Sequence, residues 1–142
     1  MHPYNTIRYG MRVEVRGVIM NAWFAAAAIL SAGICGLHVV MGGREAARPL
    51  LAASGLDHVA KFTNYYCWHL VTIVIGALGA AFAYSSWQAS AVDIAQFATA
   101  IALLFALWSV AMIVRFRLSP IQFPQWALFI LIALLGLAGN VV

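Results

Sequence analysis

Two histidines stand where an ionisable side chain is costly. His38 and His69 each interrupt a long apolar run, whereas His2 and His58 lie among more polar neighbours. Neutral imidazole binds iron, copper and zinc, and imidazole also gains and loses a proton near neutral pH. An ionisable group inside an apolar helix is therefore a candidate for function. Cys35 precedes His38 by three residues and shares its helical face. Cys67 stands two residues before His69, about 200° away around a helix.

Three kinds of chemistry suit these residues. Each imidazole can simply hydrogen-bond a nearby hydroxyl, carbonyl or interfacial water. Alternatively His38 and His69, with Cys35 as a further donor, hold a transition metal or haem b, and Arg44, Arg48 and Lys61 stand at the right end to meet haem propionates. In the third reading the pair handles protons or a quinone, with Tyr65, Tyr66 and His58 as polar companions. The cysteines lack CxxC spacing and read as packing residues, and a Cys35–Cys67 disulfide would need the second helix to rotate.

The elements that must position these residues follow from composition. Of 142 residues, 65% are hydrophobic and 8% charged, against roughly 45–50% and about 25% in ordinary soluble domains. Four stretches contain no Asp, Glu, Lys or Arg: residues 17–43, 62–92, 94–114 and 118–142. Each exceeds the roughly 18 apolar residues of a credible membrane span. They predict an all-α polytopic membrane protein, a single transmembrane domain over residues 1–142. Four transmembrane helices, at about 18–41, 64–84, 91–114 and 124–142, form an antiparallel bundle. A short interfacial helix is expected between the first two, with Pro49 near its start, Gly55 near its stop, and Leu50, Leu51 and Leu56 dipping into the membrane.

Local signals set these boundaries. Gly42 and Gly43 stop the first helix, Thr63 or Asn64 caps the second, Ser90 and Asp93 form a capping box for the third, and Pro124 opens the fourth. Residues 1–16 have an ambiguous period, with Arg8, Arg12 and Arg16 able to reach lipid phosphates. The apolar stretch after them is longer than that of a typical secretory signal, so it reads as an uncleaved first helix. Trp23, Tyr65, Tyr66, Trp68, Trp87 and Trp126 fall near the expected helix ends, as an aromatic belt requires. Small residues at Ala25, Ala28, Ala32 and Gly36, and at Thr72, Gly76, Ala80 and Ala83, are expected to let the first two helices approach closely.

Several functions are excluded or disfavoured. The net charge of +4 comes from basic residues flanking apolar runs, which suits lipid headgroups rather than nucleic acid. There is no phosphate loop, nucleophile elbow or paired CxxC motif. The expected helices carry no acidic residue at mid-span, which disfavours a proton-coupled exporter. The positive-inside rule mildly favours the first and third connectors in the cytoplasm.

The runs His38-Val-Val-Met-Gly-Gly, Pro49-Leu-Leu, Trp68-His69 and Pro124-Gln125-Trp126-Ala-Leu-Phe resemble a group of small, uncharacterised bacterial four-helix inner-membrane proteins. The resemblance covers about residues 35–138. It implies a multi-pass protein of the bacterial inner membrane and draws attention to His38, Gly42, Gly43, Trp68, His69 and Gln125. Small glutathione-transferring membrane enzymes share the length and helix count but have a polar helix signature that this chain lacks. The expected function is a non-catalytic accessory or assembly subunit of a larger membrane complex, with other membrane subunits or a homo-oligomer as partners alongside the lipid bilayer. The alternative is a membrane redox or metal- or haem-binding protein using His38 and His69.

Overall fold

The computed structural model describes residues 20–141. The lead-in, with His2, Arg8, Arg12 and Arg16, lies outside the described residues. Those described are all-helical, in four helices: α1 (Ala22–Ala52), α2 (His58–Trp87), α3 (Val92–Phe116) and α4 (Gln125–Val141). The first three are long and apolar enough to cross a membrane. At 17 residues, α4 is about 26 Å long, slightly less than a hydrocarbon core of about 30 Å.

Helix α1 begins at Ala22 rather than near Val18, because the Asn21 side chain accepts hydrogen bonds from the N–H groups of Trp23 and Phe24. The same side chain donates to the Gly139 carbonyl of α4 at 2.9 Å, and the Asn21 N–H donates to the Ser86 carbonyl of α2 at 2.8 Å. One residue thus fastens three helices at one end.

The expected stop at Gly42 and Gly43 does not occur, and the separate interfacial helix does not form. Helix α1 runs on as a π-helical segment, His38–Ala47, and a last α-helical turn, Arg48–Ala52. Each helical glycine costs only about 1 kcal/mol relative to alanine, too little to break a helix packed along its length. The π geometry has a local reason in Pro49, whose ring crowds the carbonyl four residues back. Widening the preceding turn relieves this, and the Arg48 N–H bonds the Gly43 carbonyl five residues back.

Helix α2 starts six residues before the expected caps. Asp57 is the N-cap, its carboxylate accepting from Val59 and Ala60 N–H at 2.9 and 3.4 Å. Asn64 bonds back to the Ala60 carbonyl inside the helix instead. The capping box at Ser90 and Asp93 is also absent: α3 has Ala91 as its N-cap, with no side-chain bond. A 3₁₀ turn, Ala89–Ala91, leads into it, and Ser85 Oγ holds that turn by donating to the Ala91 carbonyl at 2.9 Å. Helix α3 ends at Arg117, whose φ of 53° is left-handed. In the last connector, Trp126 Nε1 donates to the Pro120 carbonyl at 3.2 Å.

The helices form a ring in which α1 packs on α2 and α4, and α3 packs on α2 and α4. The inner face of α3 is Ala95, Ala98, Thr99, Ala102 and Ala106, and α4 presents Ile132, Ala133, Gly136 and Gly139. Such small residues let backbones approach closely and gain dispersion contacts. Phe24, Ile75 and Phe82 fill the centre. The buried hydroxyls of Ser31, Ser86 and Thr99 donate to carbonyls three or four residues back, so none is left unsatisfied in the interior.

Along the α1–α2 seam, Asn21 meets Ser86, Ser31 faces Gly79, Cys35 meets Thr72 and His38 meets Trp68. Position falls on α2 as it rises on α1. The small-residue stripes have divided roles. Ala28, Ser31 and Ala32 crowd Gly79, where an added Cβ would stand 3.4 Å from Ser31 Cβ. Gly36 and Gly76 would meet nothing within 4 Å, so they open a groove rather than close a contact.

Candidate functional site

The extended helices move both histidines away from helix ends. His38 opens the π segment within α1, and His69 lies about three turns into α2. Around them is an aromatic cluster. The His38 ring stacks on Trp68 with centroids 5.0 Å apart and 22° between planes. Tyr65 stacks on the same indole at 6.2 Å, and His69 meets Tyr65 and Trp68 edge-on at 4.6 and 4.8 Å.

Hydrogen bonding distinguishes the histidines. His38 Nε2 lies 3.3 Å from the Trp68 carbonyl, which also accepts from Thr72 Oγ1 at 3.3 Å. A carbonyl only accepts, so this contact requires the proton on Nε2 and leaves the Nδ1 lone pair of a neutral ring available. His38 is half-buried, but His69 is exposed. Of the two, His38 alone projects into the helix interface, where Trp68 occupies the seam opposite it.

Cys35 also faces the seam, its Sγ 3.7 Å from the Thr72 carbonyl, while Cys67 is exposed; both are free thiols. Among the described residues, no group of three or more His, Cys, Asp or Glu side chains is placed to hold a metal ion, Cys35 with His38 and His69 included.

The glycine pair makes room for Trp68. A Cβ at residue 42 would stand 3.5 Å from Trp68 Nε1 and 3.7 Å from His38 Nδ1, and one at residue 43 would stand 3.9 Å from Trp68 Cζ2. The indole therefore lies against bare backbone. Its buried Nε1–H has no hydrogen-bond partner, a costly condition for a buried donor. Trp68 accordingly belongs to the seam rather than to an aromatic belt, in contrast to Trp23, Tyr66 and Trp87, which are exposed.

Beside this cluster is a pocket of about 360 Å³ lined by Val39, Val40, Gly43, Arg44, Ala47, Arg48, Leu51, Tyr65 and Trp68. The α1 residues fall into rows spaced by four: 39, 43, 47, 51 and 40, 44, 48. In an ideal α-helix such a row drifts about 40° per step, or about 120° over three steps. The wider π turn reduces the drift and holds both rows on one face. Arg44 and Arg48 thus share this pocket, and Lys61 stands close by, its ammonium donating to the Leu51 carbonyl at 3.2 Å. Sequence reasoning missed the π segment and the role of Gly42 and Gly43 beneath an indole. The four-residue spacing was the available signal.

No protein-family model matches the chain, and no curated protein or solved structure matches it either.

Proposed function

We propose that this chain is a multi-pass integral protein of the bacterial inner membrane whose four helices span as an antiparallel bundle. It serves a larger membrane complex as a non-catalytic accessory or assembly subunit. The observation that carries this reading is the outward surface. Large apolar side chains face away from the core on three helices, including Ile29 (76% exposed), Ile73 (65%), Phe97 (70%) and Trp108 (70%). Water would penalise that surface, whereas acyl chains or partner helices match it. A slot of about 340 Å³ adds a place for a partner's side chains, with Val71 of α2, Phe105, Trp108 and Met112 of α3, and Phe129 of α4 in its wall.

The test is purification from native membranes in a gentle neutral detergent, followed by mass measurement of the intact particle. Stoichiometric co-purification with a larger membrane protein is expected, weakened by Trp108→Ala. A stable, homogeneous particle containing this chain alone overturns the reading.

A further inference from the structure

The arginine-lined pocket has a neighbour on the same helix pair. A second cavity, an apolar groove of about 590 Å³, runs along the outside of the α1–α2 seam over Gly36, Gly76, Ala80 and Ala83. Val39 and Val40 line both, so the two adjoin at these residues. One end is cationic and the other apolar. From Val40 to Ala32 the groove follows α1 for about 12 Å.

We propose that these two adjoining cavities together form a binding site for an anionic phospholipid. The phosphodiester sits between Arg44 and Arg48, and one acyl chain lies along the groove over Gly36 and Gly76. The arginines supply charge complementarity: guanidinium groups recognise phosphate oxygens through paired, charge-assisted hydrogen bonds. Lys61, bonded to the carbonyl of the pocket-lining Leu51, adds a third positive charge nearby. Glu45, the nearest acid in sequence, does not line the pocket. The apolar end gives the same molecule a place for its tail, which a soluble anion would leave empty. Tyr65 and Trp68 line the arginine end, as amphipathic aromatics do beside lipid headgroups.

This inference rests on the membrane placement proposed above, and its test separates the two. The full chain is first reconstituted into vesicles of equimolar dioleoyl phosphatidylglycerol and dioleoyl phosphatidylcholine; failure to insert refutes the membrane placement and, with it, the site. Inserted protein is then extracted into neutral detergent, and its retained lipid is measured by native mass spectrometry. One phosphatidylglycerol retained in preference to phosphatidylcholine is expected. Each of Arg44→Gln and Arg48→Gln lowers that preference about fivefold, and the pair lowers it about 25-fold.

Gly36→Leu and Gly76→Leu fill the groove without changing charge, and each is expected to abolish retention. Neither added Cβ meets an atom within 4 Å, so both variants should fold, as circular dichroism checks. Equal retention of the two lipids, undiminished phosphatidylglycerol in the double arginine variant, or retention unaffected by the leucines overturns the site. Displacement by glycerol phosphate as readily as by phosphatidylglycerol also overturns it, since the occupant would then be a soluble anion.

Discussion

Helix α4 closes the ring of helices through two glycines, and this closure gives a sharp test. An added Cβ at Gly136 would overlap the Thr99 hydroxyl of α3 and press to 3.1 Å on Phe82 Cζ of α2, while one at Gly139 would overlap ring atoms of Phe24 on α1. Gly136→Ala must therefore displace α4 or rotate Thr99, whose hydroxyl donates to the Ala95 carbonyl at 2.7 Å. Overpacking of this kind costs about 1–3 kcal/mol, and stranding the buried hydroxyl adds about 1–3 kcal/mol. Alanine's better helix propensity offsets about 1 kcal/mol. The net loss is about 1–5 kcal/mol. Gly33 is the control, because an added Cβ there meets nothing within 4 Å; Gly33→Ala should be neutral or stabilising by up to about 1 kcal/mol. The assay is reversible unfolding in mixed micelles with a rising fraction of dodecyl sulfate, followed by tryptophan fluorescence. Adding Thr99→Ala to Gly136→Ala should recover part of the loss, since it removes the overlapping oxygen. Equal stability of Gly136→Ala and Gly33→Ala would refute the close packing of α4.

Other expectations use the same assay unless stated. Asn21→Ala should cost about 1–2 kcal/mol, because it removes both the α1 cap and the bond to the Gly139 carbonyl. Arg117→Gly should stabilise by about 1 kcal/mol, since φ is 53° there and glycine adopts that region freely. Gly42→Ala should be tolerated, its Cβ 3.5 Å from Trp68 Nε1, whereas the branched side chain of Gly42→Val should push Trp68 away and cost about 1–3 kcal/mol. If His38 and His69 hold haem or a metal, natively purified protein carries a bound group that His38→Ala and His69→Ala each remove, read by absorption spectroscopy and elemental analysis.

The four long helices and their apolar character were legible in the chain because both depend on one-dimensional quantities: the length of uncharged runs and the positions of charges. Three of those runs correspond to helices long and apolar enough to span. The boundaries were less legible because several signals compete locally. Asp57 is as good a cap as Asn64 by residue type, and in the fold it is Asp57 that accepts the first N–H groups of α2. At Gly42 and Gly43 the sequence signalled a stop. Their function is visible only against Trp68, a residue from another helix.

The candidate site divides in the same way. His38, Arg44 and Arg48 were identifiable by residue type, since an imidazole or guanidinium near an apolar run is rare and costly. Their partners were not, because helix rotation and register decide them. Register sets Trp68 against His38 and leaves His69 outside the seam, and the π segment brings the four-residue rows onto one face with Tyr65. What the sequence by itself determined was apolar length and the few costly polar exceptions, because transfer free energy sums residue by residue. Which exceptions face one another, and which glycines open a groove rather than close a contact, was decided by tertiary structure alone. Those outcomes depend on distances of a few tenths of an ångström between helices far apart in the chain.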